Sequence, residues 1–400
     1  MATTFWSNIR EEARKNFILV FQQNWPMWLA GIFLAFLAVM ILLWGEAMWG
    51  IIGGMRNWGD WILYSVGIYN QSPELSPWMS HLSLTNIGLV LGALSSALLA
   101  GQFKIRSSSW YEYAKGAVGG ALMGIGAGFA FGCNIGGFYS PVGMFSMGGY
   151  AMMIGLGIGA YLGLRYLIWE MMNIPQQASA PPSSREMPRE PLINWSKVSP
   201  YAGGILAVLL VLAFYLYAVQ GQTTEGGLLF LGALIGLTMH RSRFCMARAF
   251  REPFMTGDAT MVRAVALSLI VYGMASAIIK YNWLVPPEVG VFHPFWLGSL
   301  IGGIIFGVGM LLAGGCGSGT LWRLGEGHIK IIIAVIFMAL SNSLTYTALH
   351  HFEIADRLGS GTFMPDVFGW PLSMVIFILI PLLWALWAIW NEKTEKFVAF

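Results

Sequence analysis

Residues 301–316 read IGGIIFGVGMLLAGGC, and residues 118–133 read VGGALMGIGAGFAFGC. The two align without a gap and agree at seven of sixteen positions, the closing Gly-Cys included. Both stretches are apolar and rich in glycine, and the glycines continue past each thiol, at Gly136 and Gly137 and at Gly317 and Gly319. Upstream glycines spaced about four apart let helix backbones touch, so tight packing alone accounts for them. The downstream ones lie where a helix must stop. Irregular backbone at membrane depth persists only when buried in protein or lining a wet cavity. Successive free N–H groups there form a concavity suited to an anion.

The composition places these stretches in a bilayer. Of 400 residues, 56% are hydrophobic and only 10% charged, where a soluble domain carries about 25% charge. Three cysteines cannot make a disulfide framework. The net charge of +3 gives no case for nucleic acid. A spanning helix needs about 20 apolar residues, and candidate spans fall at 26–44, 84–100, 116–132, 148–168, 200–220, 227–239, 259–280, 295–314, 329–349 and 370–390. Two of these, 116–132 and 227–239, are short and end in unusual loops, so they are expected to be broken or re-entrant. Residues 1–25 mix charge with apolar positions, which suits an amphipathic entry helix rather than a cleavable signal.

Charge orients the chain. With ten crossings and both termini cytoplasmic, only Arg56, Lys280 and Arg357 of the 22 basic residues fall outside, a strong positive-inside bias. Cys133 then ends a helix leaving the cytoplasm and Cys316 one entering it, the signature of inverted repeats. Residues 173–199 hold prolines, serines and alternating charge, as expected of a flexible cytoplasmic linker. The expected architecture is an all-α polytopic membrane protein of about ten membrane segments in two pseudo-symmetric, inverted halves, 1–172 and 200–400, with re-entrant half-helices and central loops. LGAL also recurs at 91–94 and 231–234, where both segments run inward. Four small residues match easily by chance, so this recurrence is set aside.

The third thiol stands in HRSRFCMARAFRE, 240–252, with Arg241, Arg243, Arg248 and Arg251 around Cys245 and His240 beside them. The arginines fit positive-inside anchoring. They equally fit attraction of an anion and activation of a thiol.

Together, GCNIGG, RSRFC and AGGC before a glycine-rich loop resemble the YeeE/YedE family of bacterial sulfur-compound transporters, over most of residues 84–350. The resemblance implies an hourglass fold in the inner membrane, with loops folded toward the centre and thiols along the path. Cys133, Cys245 and Cys316 would be the substrate-contacting thiols, with Gly132, Asn134, Gly315, Gly317, Arg243 and His328 beside them. The family pattern carries a further thiol in the first half. The stretch taken as its counterpart, AGQFKIR at 100–106, has none. That departure resembles the YedE branch, associated with selenium metabolism. The implied partners are a small sulfur or selenium anion, the lipid bilayer and a small cytoplasmic sulfur-carrier protein; no nucleic acid, cofactor or metal is implied.

The chemistry suits such cargo. A polarisable sulfur terminus matches weak S–H donors, while oxyanion oxygens match backbone N–H groups. Neutral donors bind an anion without trapping it, as a permeation path requires. Passage by persulfide exchange and passage without covalent bonds are both open. Moving a dianion into a negative interior costs about 4.6 kcal/mol at 100 mV, a ratio on the order of 10³ against import. Proton coupling or rapid consumption must offset it. No carboxylate stands mid-span; Glu46, Glu170 and Asp258 lie near ends, and His240, His293 and His328 are the candidate proton carriers. Two rivals are a passive anion channel and a membrane thiol sulfurtransferase, for which His328, twelve residues after Cys316, is the candidate base.

Overall fold

The computed structural model describes residues 2–173 and 195–399, so most of the expected 173–199 linker lies outside the described residues. An entry helix, α1 (Ala2–Phe17), leads through a π-helical turn to α2 (Met27–Gly45). Then come α3 (Ile52–Ser65), α4 (His81–Leu99) and α5 (Trp110–Ala130). A second π-helical turn, Asn134–Tyr139, runs into the single turn α6 (Ser140–Gly143), followed by α7 (Met147–Asn173). The second part comprises α8 (Trp195–Val219), α9 (Thr223–Ser242), α10 (Met246–Met255), α11 (Thr260–Tyr281), α12 (Leu297–Ala313), α13 (Gly317–Gly325), α14 (Ile329–His351) and α15 (Met364–Thr394).

Among the described residues, nine helical segments are long and apolar enough to cross a membrane. The tenth expected crossing, α9, has 20 residues with polar Thr-Thr-Glu at one end and His-Arg-Ser at the other. The chain is an all-helical, multi-pass membrane protein. The expectation that 116–132 and 227–239 are broken helices is wrong. Each gains its missing turns from polar residues that a hydropathy window discards: Trp110 to Lys115 for α5 and Thr223 to Gly226 for α9. The short helical pieces lie instead at the turn 134–143, α10 and α13. The sequence also gave no warning of α3, which is short and holds Arg56 and Asp60.

Glycines fix the packing. Helices α5 and α12 cross antiparallel, with Gly119 on Gly309 and Ala313, and Gly126 on Gly302 and Phe306. Aligning residue 118 with 301 sends 119 to 302 and 126 to 309, so this contact is two-fold symmetric. Flanking pairs obey the same symmetry. Gly155 and Gly159 of α7 lie on Leu300 and Ile304 of α12, while Gly120 and Gly124 of α5 lie on Ala334 and Met338 of α14. Without a hydrophobic drive between helices in lipid, such close backbone approach is what holds them together. The LGAL recurrence turns out to have a physical cause: α4 and α9 run parallel in direct contact, Gly88 on Leu229, Gly92 on Ala233, Gly232 on Thr85 and Gly236 on Leu89.

Candidate functional site

Three helices that precede a thiol end in the same way. Phe131 caps α5 at φ 51°, Arg243 caps α9 at φ 56° and Gly314 caps α12 at φ 84°, all left-handed. Two residues later comes the cysteine, extended and serving as N-cap of the next short helix: Cys133 of the turn 134–139, Cys245 of α10, Cys316 of α13. The left-handed residue turns the chain through a sharp corner, at a cost of about 1–2 kcal/mol where the residue is not glycine. Strain of that kind collects at functional sites. The thiol then occupies the position at which a helix most needs an acceptor. Cys133 Sγ accepts from the Gly136 amide at 3.5 Å, and Cys316 Sγ from the Gly319 amide at 3.3 Å.

The three corners meet around the first turn of α13. Cys245 Sγ lies 3.6 Å from Cys316 Sγ. The Gly317 amide donates to Asn134 Oδ1 at 3.0 Å, while Asn134 Nδ2 is buried without a protein partner among the described residues. A Cβ on Gly317 would sit 3.3 Å from Cys133 Sγ, and one on Gly319 would sit 2.9 Å from Cys245 Sγ and 3.1 Å from Cys316 Sγ. Glycine here leaves room between the sulfurs. Gly132 is required differently, because a Cβ there would press on the Gly136–Gly137 backbone. Gly315 has ordinary space around it. All three thiols are buried, at 0%, 1% and 0% exposure for Cys133, Cys245 and Cys316. Aromatic stacking steadies the Cys133 turn: Tyr139 lies flat on Tyr272 at 5.4 Å and edge-on to Trp49 at 5.9 Å.

A cavity opens on each side of this knot. The larger, about 690 Å³, is lined by Gly136, Met48, Gly290, Arg56, Asn342 and Tyr346 among others. Arg56 lies over the Tyr346 ring, 3.8 Å from its centroid. The smaller, about 400 Å³, is lined by Arg243, Arg248, Arg251, Trp322, Arg323, Glu326 and His328. Arg243 and Arg323 flank the Trp322 ring, whose indole N–H donates to the Phe244 carbonyl at 3.2 Å. Arg241 is turned away. Its guanidinium donates to the Gln23 carbonyl at 2.9 Å and its own carbonyl accepts from the Trp25 amide, pinning the entry segment.

Glu326 organises the arginine mouth. Its carboxylate pairs with Arg243, with His240 Nε2 at 3.1 Å, with His328 Nε2 at 3.4 Å and with Arg106 at 3.7 Å. His240 is gripped from its other side by Ser96 Oγ at 2.9 Å. Burial opposes ionisation, yet these donors hold the Glu326 carboxyl far below the usual carboxylate range. His328 therefore belongs to a charge network on the mouth wall.

Two elements escaped the sequence reading. Glu326 is one, although it stands in the GEGH that closes the stretch after Cys316; a carboxylate between glycines so near apolar helices was a usable signal. Met48 is the other. Helix α2 ends on left-handed Glu46 at φ 47°, and Met48 follows two residues later, as each cysteine follows its own cap. The first-half counterpart of Cys245 is thus Met48 rather than the 100–106 stretch. That stretch pairs instead with residues 326–328, where the Arg106 amide donates to the Gly327 carbonyl.

Comparison with known proteins supplies the context for this site. The family described as "Sulphur transport" matches residues 3–162 and 241–399. The "Probable transporter YedE" of Escherichia coli K12 is 28% identical over 296 residues, covering 70% of this chain and 71% of that protein. The "Thiosulfate transporter TsuA" of E. coli K12 is 35% identical over 165 residues, 39% of this chain and 45% of its own length. The TsuA of Spirochaeta thermophila is 35% identical over 194 residues, 42% of this chain and 56% of its own.

Proposed function

Because the chain belongs to the Sulphur transport family, we propose that it takes up a small sulfur dianion of the thiosulfate class, passing it from the larger cavity through the thiol knot to the arginine mouth. Two relatives named thiosulfate transporters support the cargo. The single observation that carries the path is the convergence of three N-cap cysteines on one helical turn, between two cavities of different charge. The amide ends of α10 and α13 lend partial positive charge there, and Asn134 Nδ2 offers a donor for an oxyanion oxygen. The thiols offer a soft surface to the terminal sulfur.

On the positive-inside count, the arginine mouth opens to the cytoplasm and the larger cavity away from it. Arg243 and Arg248 would then draw the anion forward, and a small sulfur-carrier protein would collect it at the mouth. The family is one of transporters, and His328, the candidate base of the sulfurtransferase alternative, directs its Nε2 to Glu326 and Arg106 in the arginine mouth. The test is uptake of labelled thiosulfate by cells lacking other importers. Competition with unlabelled selenite and sulfate separates the sulfur reading from a selenium one. Uptake that exceeds vector controls and is blocked by thiosulfate supports the proposal; uptake no greater than in the controls refutes it.

A further inference from the structure

Of the six histidines, five have a partner or face solvent. His240 is held between Ser96 and Glu326, and His328 by Arg106 and Glu326. His81 pairs with Glu225, His350 with the Tyr346 carbonyl, and His351 is exposed. His293 is different. It lies in the connection between α11 and α12, fully buried, and neither ring nitrogen has a protein hydrogen-bond partner of normal geometry among the described residues.

Its position is specific. The ring stacks on Phe292 at 4.2 Å, and the carbonyls of Gly136 and Gly290 are its nearest polar neighbours. Phe292, Gly290 and Gly136 all line the larger cavity. The amide of that same Gly136 donates to Cys133 Sγ. The imidazole thus stands beside the cavity wall, with the single residue Gly136 between it and the first thiol. Gly148 closes the far side, where a Cβ would come within 2.8 Å of the His293 Cβ.

We propose that His293 binds the proton that accompanies the anion inward. The inference rests on the uptake reading above and names its coupling ion. Burial disfavours the charged ring and pushes its pKa down to about 4, so without cargo it stays neutral at ordinary external pH. A dianion at the Cys133 turn reverses the balance, because opposite charge at short range favours protonation. Anion and proton therefore load together. The ionisable groups of the cavity that the ring borders are Glu46, Arg56, His81, Glu288 and Tyr346. Residues 129–149 and 289–298 contain no Asp, Glu, Lys or Arg. The elements packed around His293 carry Cys133 and Tyr139 on the turn and Tyr150 on α7 as their titratable groups nearest in sequence to Gly136 and Gly148. Glu288 is on its own connection, and on α11 Lys280 Nζ is occupied by the carbonyls of Met144, Pro287 and Val289. One proton per dianion cuts the opposing ratio at 100 mV from order 10³ to roughly 50-fold.

The test uses the full chain in proteoliposomes with labelled thiosulfate. With one unit of pH difference, interior alkaline, the wild type should accumulate about tenfold more thiosulfate than without a gradient. His293→Gln should keep thiosulfate exchange at equal pH and lose that response. Wild-type accumulation that ignores the gradient overturns the coupling and leaves uptake standing; so does a full response in His293→Gln. A wild type that moves no thiosulfate in either mode overturns the uptake reading itself. Should His293→Gln not insert, His293→Asn and a pH dye decide. The dye should show one proton entering per thiosulfate in the wild type, and none overturns the proposal.

Discussion

Cys245 Sγ and Cys316 Sγ stand 3.6 Å apart although 71 positions separate them, each at the amide end of its own short helix. Cargo that passes either sulfur must pass both. Serine is close in volume to cysteine and keeps a donor, but it is harder and forms no persulfide. Cys133→Ser and Cys316→Ser are therefore expected to cut thiosulfate uptake at least about tenfold, equivalent to 1.4 kcal/mol, at unchanged membrane abundance. Cys245→Ser should fall between these and wild type, because its first-half counterpart is already a methionine. Uptake per molecule of inserted protein decides this, and full activity in both of the stronger variants would reduce the thiols to packing.

Met48 gives a second test. It borders the larger cavity, with its sulfur beside Gly290 and its methyl toward Gly136. A thioether is polarisable but cannot exchange sulfane sulfur. Met48→Leu keeps the bulk and loses the sulfur, so it should raise the uptake KM several-fold with little change in maximal rate. Met48→Cys should be labelled from outside by a membrane-impermeant thiol reagent, with thiosulfate slowing the reaction. Absence of labelling in the folded variant would remove Met48 from the path.

Glu326 predicts a stability effect with a definite pH window. Removing one partner of a buried charge cluster leaves the others unpaired, at 3–5 kcal/mol in buried cases. The mouth is partly solvated, so Glu326→Gln should cost about 3 kcal/mol, seen as a lower unfolding temperature in detergent. Because the folded carboxyl is held below its ordinary range, its contribution is present above the unfolded value. It is lost only as pH falls through the depressed one. Glu326 should thus impose no change in stability between pH 5 and 8, and a loss in wild type across that window that vanishes in Glu326→Gln would contradict the assignment.

The mouth arginines can be separated from topology anchors by salt. Arg243→Gln and Arg248→Gln should lower uptake more at 10 mM than at 300 mM salt, because an exposed attractive field is screened over roughly 30 Å and 6 Å respectively. Salt-independent uptake in both variants at the wild-type level would leave them as anchors.

The glycine contacts allow a matched comparison. A Cβ at Gly92 would fall on the Ala233 backbone, whereas at Gly157 it meets nothing within 4 Å. Gly92→Ala should destabilise by at least 1–3 kcal/mol, and Gly157→Ala should be near neutral. Equal melting temperatures for the two would disprove the parallel α4–α9 seam.

Much of this was readable in the chain. The spans, the three thiols and the paired 118–133 and 301–316 stretches followed from hydropathy and repetition, which are properties of neighbours in sequence. What escaped depends on geometry that sequence spacing does not encode. Left-handed caps at Glu46, Phe131 and Arg243 are carried by residues that rarely adopt that conformation, so nothing in their identity announced them. Met48 could be matched to Cys245 only once both corners were seen. Glu326 draws its partners from positions as distant as Arg106 and His240. The LGAL recurrence, set aside as chance, was a record of two parallel helices needing the same small surface.

The burial of the three thiols bears on the energy economy of the cell. The three thiols are at most 1% exposed and line neither cavity, so solvent in the two cavities stops short of the sulfurs. Chloride, hydroxide and hydronium find no soft contact to replace their hydration. A membrane densely populated with this protein should therefore hold its voltage as well as bare lipid does, and planar bilayers containing it should show no ionic conductance until thiosulfate is added.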